Sequence, residues 1–124
     1  MEGIVVRGLG EGAYFMSMEH YRKEIKNKLG FDAFPGTLNI RINKNTGFLE
    51  NYKALRIEGY RKGDQVFGGA SCYKAKIDDI SGFIIVPDIN KQKEDIIEFI
   101  ASVNIRSKLN LKGNDKVKIE ISQE

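Results

Sequence analysis

Phe34-Pro35-Gly36-Thr37-Leu38-Asn39-Ile40-Arg41-Ile42-Asn43 reads as a turn that runs directly into a half-buried strand. Proline presets φ and glycine tolerates nearly any backbone angle, so Phe34-Pro35-Gly36 bends the chain. From Thr37 to Asn43 apolar and polar residues alternate, with Leu38, Ile40 and Ile42 on one face. A period of two marks a strand that lays one face on a core. Thr37 and Asn39 fall together on the opposite face.

The flanking sequence repeats this strand-and-turn pattern. Upstream, Glu2 to Arg7 (EGIVVR) is a β-branched strand, broken by Gly8-Leu9-Gly10-Glu11-Gly12. Tyr14, Phe15 and Met16 resume an apolar stretch. Ser17 is expected to cap a helix over Met18 to Leu29, and Gly30 to stop it. Met18, Tyr21, Ile25 and Leu29 recur at helical spacing. Downstream, Leu55 to Tyr60 and Gln65 to Phe67 flank a hairpin tip at Arg61-Lys62-Gly63-Asp64. Tyr73 to Ile77 alternates, and Gly82 to Pro87 (GFIIVP) reads as a continuous buried strand. Asp95 to Ala101 (DIIEFIA) fits either class: Ile96, Ile97 and Ile100 suit a helix, and the β-branched content suits a strand. Asn104 caps a short helix through Leu109, and Gly113-Asn114-Asp115 turns into a last strand, Lys116 to Ser122. Many short strands with two helices, one of them short, give a mainly β fold, a small barrel with appended helices.

Bulk properties set the class. The 124 residues, 41% hydrophobic and 30% charged, fit one soluble domain. No apolar run approaches the roughly 20 residues that cross a membrane. MEGIVVRGLGEG lacks the basic and apolar segments of a signal peptide, so a cytoplasmic location is expected. The single cysteine, Cys72, can form neither an internal disulfide nor a CxxC metal site, and reads as a small buried apolar residue. A net charge of +3 suits a polyanionic small molecule and permits weak nucleic-acid contact.

Three segments carry candidate chemistry. In GLGEGAYF (Gly8 to Phe15), alternate glycines allow backbone N–H groups to converge on a di- or triphosphate. The spacing is neither a dinucleotide fingerprint nor a Walker A loop, and the segment reads equally as a surface turn. Thr37 and Asn39 offer hard oxygen ligands to magnesium if phosphates complete the shell; they also suit backbone hydrogen bonding at the start of a strand. Glu98 is a charge among apolar neighbours, facing either a polar pocket or solvent. Arg106 can make fork-like bonds to phosphate, and with Lys108 also fits plain surface charge. His20, the only histidine, reads as a surface residue. No hydrolase-type nucleophile system assembles from this chain.

In order, GLGEGAYFMS, FPGTLNI, GFIIVP, and IIEFIA followed by NIR and LNL resemble the archaeal CTP-dependent riboflavin kinases, over about residues 2 to 121. The triple-glycine loop leading into YF, and GTLN, carry most of the resemblance; Lys44 to Ile80 carries least. It implies a six-stranded cradle-loop β-barrel related to other riboflavin kinase barrels. The implied reaction moves the γ-phosphoryl of CTP to the 5′-hydroxyl of riboflavin, giving FMN and CDP with magnesium. The chain would be one kinase domain over residues 1–124, without the N-terminal winged-helix domain of some members. It would act as a monomer on small molecules, away from membranes and nucleic acid.

By the same resemblance, Gly8, Leu9, Gly10, Glu11, Gly12 and Ala13 would embrace the nucleotide, with Val103, Asn104, Ile105 and Arg106 completing its pocket. Thr37 and Asn39 would bind magnesium, and Asn90 and Glu98 would contact the flavin. Glu98 is also the candidate to orient or deprotonate the riboflavin hydroxyl. Ala13 stands where relatives can carry a long basic residue, and Asn90 where a threonine can occur. Two other readings stay open here: an ATP-using flavokinase, and a non-enzymatic barrel that binds nucleic acid or a partner protein.

Overall fold

The computed structural model describes residues 1–8, 15–89 and 93–122. In chain order its elements are β1 (Glu2–Val6), α1 (Glu19–Leu29), β2 (Leu38–Arg41), a 3-10 turn (Thr46–Asn51) and β3 (Leu55–Ile57). There follow β4 (Tyr60–Lys62), β5 (Gln65–Phe67), β6 (Ala70–Ile77) and β7 (Ile80–Pro87). The chain ends with β8 (Ile96–Ile100), α2 (Ile105–Lys108) and β9 (Lys116–Ile121). Six strands hydrogen-bond in the order β6, β7, β8, β2, β1, β9, and β9 returns to β6, closing an antiparallel barrel. Strand β6 closes it because its length serves two partners: Ala70 to Cys72 pair with β3, and Ala75 to Ile77 pair with β9. Closure removes the exposed strand edges that invite aggregation.

Register fixes what faces inward. Val5, Ile40, Ile97, Phe99, Ile84, Ala75, Ile77, Val117 and Ile119 fill the barrel. Each such side chain contributes about 1.5–3 kcal/mol by leaving water. The outer wall of β6, β7 and β8 is covered as well. Cys72, Phe83 and Ile100 pack there under Met16 and under Tyr21 and Ile25 of α1. This two-sided cover explains why Gly82, Phe83 and Ile84 are buried in succession, as the run GFIIVP predicts. Cys72 is part of this second core, and burial pushes its thiol up to about 12, as befits a packing residue rather than a nucleophile.

Three local expectations are revised and one open reading is decided. Met18, not Ser17, occupies the N-cap of α1, with no side-chain cap bond; a preceding turn, Met18 N–H to Phe15 O at 3.1 Å, leads into the helix instead. The hairpin is Tyr60–Lys62 against Gln65–Phe67, with Gly63 and Asp64 alone at the tip. Leu55–Ile57 leaves that hairpin to pair with β6. The segment 95–101 resolves to strand β8, because β7 and β2 each present it an antiparallel edge. His20 is half-buried: its ring lies 4.4 Å from that of Tyr60, and its Nε2 is 2.8 Å from Glu58 O. A carbonyl only accepts, so that nitrogen carries the hydrogen and is no free base.

Candidate active site

One row of residues crosses the outer wall of the barrel. Register places Cys72 beside Ile85, Ile85 beside Glu98, Glu98 beside Asn39, and Asn39 beside Val6. The row begins apolar and becomes polar at Glu98 and Asn39. Thr37, just before β2, shares the outward face with Asn39, as their spacing predicts. Its Oγ1 donates to Glu98 Oε1 at 3.2 Å, so the hydroxyl fixes one carboxylate oxygen. Asn39 is 9% exposed and is the polar residue among the buried described ones.

Gly8 lies over this cluster. A Cβ on Gly8 would overlap the Asn39 side-chain amide, so only glycine lets the chain pass this close. The end of β1 therefore delivers the start of the glycine loop to Asn39. Leu9, Gly10, Glu11, Gly12 and Ala13, and also Asn90, lie outside the described residues.

Two clefts lie near the row. The smaller, of about 70 Å³, is lined by Phe34, Gly36, Thr37, Val103, Asn104 and Arg106, among others. Phe34 N–H donates to Ala101 O at 2.8 Å, drawing the turn before β2 against the segment after β8. Asn104 caps α2 as expected, accepting from Ser107 N–H at 3.3 Å. The larger cleft, of about 280 Å³, is apolar, with Phe15, Met16, Tyr21, Ile57, Phe67 and Ile89 around it. It lies farther along β6 and β7 than the Cys72–Ile85 pair, where Ala70 and Pro87 pair. Concave, largely apolar clefts beside a few convergent polar groups are where small molecules bind.

Thus the structure brings together Gly8, Thr37, Asn39 and Glu98, and joins Val103 to Arg106 to them through Thr37. The apolar cleft was not visible in the sequence. Its lining comes from five separate stretches, and only at Phe15, Met16 and Pro87 does it touch the motifs quoted above. Hard oxygen donors at Thr37 and Asn39, with the Glu98 carboxylate beside them, fit a magnesium ion that arrives on phosphates. No cluster of three or more His, Cys, Asp or Glu suited to a metal occurs among the described residues. No described helix is long and apolar enough to cross a membrane.

Comparison with known proteins follows the same lines. A family model labelled CTP-dep_RFKase, described as domain of unknown function DUF120, matches residues 5–121. A riboflavin kinase of Methanosarcina mazei is 38% identical over 128 residues, covering 100% of this chain and 57% of that protein. A riboflavin kinase of Pyrobaculum aerophilum is 42% identical, covering 96% of this chain and 59% of that protein. A third, from Archaeoglobus fulgidus, is 40% identical, covering 98% and 54%. The chain spans just over half the length of these relatives.

Proposed function

The chain belongs to the CTP-dependent riboflavin kinase family, and on that footing we propose that it transfers the γ-phosphoryl group of CTP to the 5′-hydroxyl of riboflavin, giving FMN and CDP in the cytoplasm. The supporting observation is one wall that carries a polar cluster at Glu98 and Asn39 and, farther along its strands β6 and β7, an apolar cleft. The isoalloxazine ring, planar and largely apolar, suits the larger cleft. The ribityl chain then runs past Ile85 toward Glu98 and Asn39.

CTP lies on the other side of Thr37, with its base side against Val103 to Arg106 and its phosphates under Gly8 to Ala13. Backbone N–H groups of a glycine loop bind phosphate oxygens without adding charge, and Arg106 adds a fork. Asn90 and Glu98 complete the flavin contacts. Thr37 and Asn39 are the residues that would hold magnesium. When bound, the ion neutralises charge that develops on the phosphate oxygens.

The chemistry asks little of the protein beyond position. The transition state is loose in most analyses, so placement and charge neutralisation dominate. The riboflavin 5′-oxygen bonds the γ-phosphorus as the bond to the β,γ-bridging oxygen breaks, and CDP leaves. Glu98 takes the hydroxyl proton, its carboxylate held by the Thr37 hydroxyl.

Thr37→Ala and Asn39→Ala should each lower FMN formation about a hundredfold, a loss typical of removing one group aimed at developing charge. Circular dichroism should show the fold intact. Full activity in both variants across a magnesium titration would remove the metal role and the proposed site with it.

A further inference from the structure

The apolar cleft is rimmed by two strand ends that the backbone already joins, Ala70 pairing with Pro87. One side-chain ion pair braces the residue between Pro87 and Ile89. Gly68, Gly69 and Ala70 form one lip; Pro87 and Ile89 form the other. Arg56 Nη1 donates to Asp88 Oδ1 and Nη2 to Asp88 Oδ2, each at 2.7 Å. Nη1 also donates to Ser71 Oγ at 3.0 Å. The Asp88 N–H donates to Gly69 O at 3.0 Å, and the Tyr21 hydroxyl donates to Gly68 O at 2.5 Å. A Cβ on Gly69 would stand 3.1 Å from Arg56 Nη2 and closer still to Ile57 O, so this lip is packed against the guanidinium. Asp88 directly precedes Ile89, which is 71% exposed. Val66, 65% exposed, lines the same cleft, so the rim carries an exposed apolar patch of the kind that marks ligand-binding grooves.

The pair has little to do with holding the fold. Both side chains are 45% exposed, and exposed pairs contribute about 0–1 kcal/mol. What a bidentate fork provides is fixed geometry. Its hydrogen bond holds the Asp88 carboxyl below the usual range, so the fork is intact at neutral pH.

We propose that the Arg56–Asp88 fork is a positioning pair that fixes Ile89 at the rim of the apolar cleft, and through Ile89 sets the affinity for the isoalloxazine ring. This rests on the riboflavin reading of that cleft. Three variants test it: Arg56→Ala, Asp88→Ala, and the exchange Arg56→Asp with Asp88→Arg. Riboflavin and CTP are varied separately in steady-state assays, and riboflavin binding is followed by fluorescence quenching without nucleotide. In the single variants riboflavin KM and Kd should rise about tenfold. The kcat, CTP KM and thermal midpoint should stay near those of the unmodified protein, and the exchange should recover much of the lost affinity. Unchanged riboflavin KM, or losses in CTP KM and midpoint that run in step with it, would overturn the proposal. If the unmodified protein binds no riboflavin, the cleft reading itself falls and the fork's role with it. Binding that is equal in all forms removes the fork alone.

Discussion

Gly8 shows how much one residue can settle. Its sequence neighbours permit a surface turn, and spacing alone leaves that reading open. The contact with Asn39 closes the question, because a methyl group at Gly8 has no place to go. Gly8→Ala should therefore displace the Asn39 amide and lower kcat about tenfold or more, since small misplacements near reacting groups are costly. Steady-state kinetics beside circular dichroism would check this; unchanged kcat in a folded variant would remove the contact from the account. Thr37 and Asn39 were legible as a same-side pair because strand periodicity is strict. The Glu98 bond to Thr37 was not legible, since it joins residues 61 positions apart. The same holds for Arg56 and Asp88, 32 apart.

Elements with a local cause were read well. The stop of α1 is an example: Gly30 sits at φ 85°, and its N–H reaches Ile25 O and Lys26 O. Nothing lies within 4 Å of a Cβ built there, so Gly30→Ala should cost only the left-handed backbone term, roughly 1–2 kcal/mol. Chemical denaturation would measure it, and a neutral result would mean that the helix end relaxes. The Gly113-Asn114-Asp115 turn was equally local, with Asn114 at φ 72°. Elements with a tertiary cause were not read. Strand β8 was ambiguous because Ile96, Ile97 and Ile100 fit both periods, and only the waiting edges of β7 and β2 choose between them. Ser17 looked like a cap because hydroxyls usually are, yet the turn from Phe15 sets the helix start one residue later.

At the scale of the molecule, strand order in the barrel wall is what creates a site. The end of β1, the start of β2 and the middle of β8 meet because β2 lies between β1 and β8 in the barrel wall and pairs with both. Outside the barrel, α1 covers one part of the wall and leaves the adjoining part as a cleft. The site is thus a junction between a covered and an uncovered stretch of the same surface, which composition and charge do not reveal. The most direct test presents riboflavin with each nucleoside triphosphate in turn and follows FMN by chromatography. The account predicts magnesium-dependent FMN with CTP, in preference to ATP, GTP and UTP. Equal or better turnover with ATP would contradict the cytidine assignment, and no FMN with any donor, together with salt-sensitive DNA binding, would contradict the kinase reading altogether.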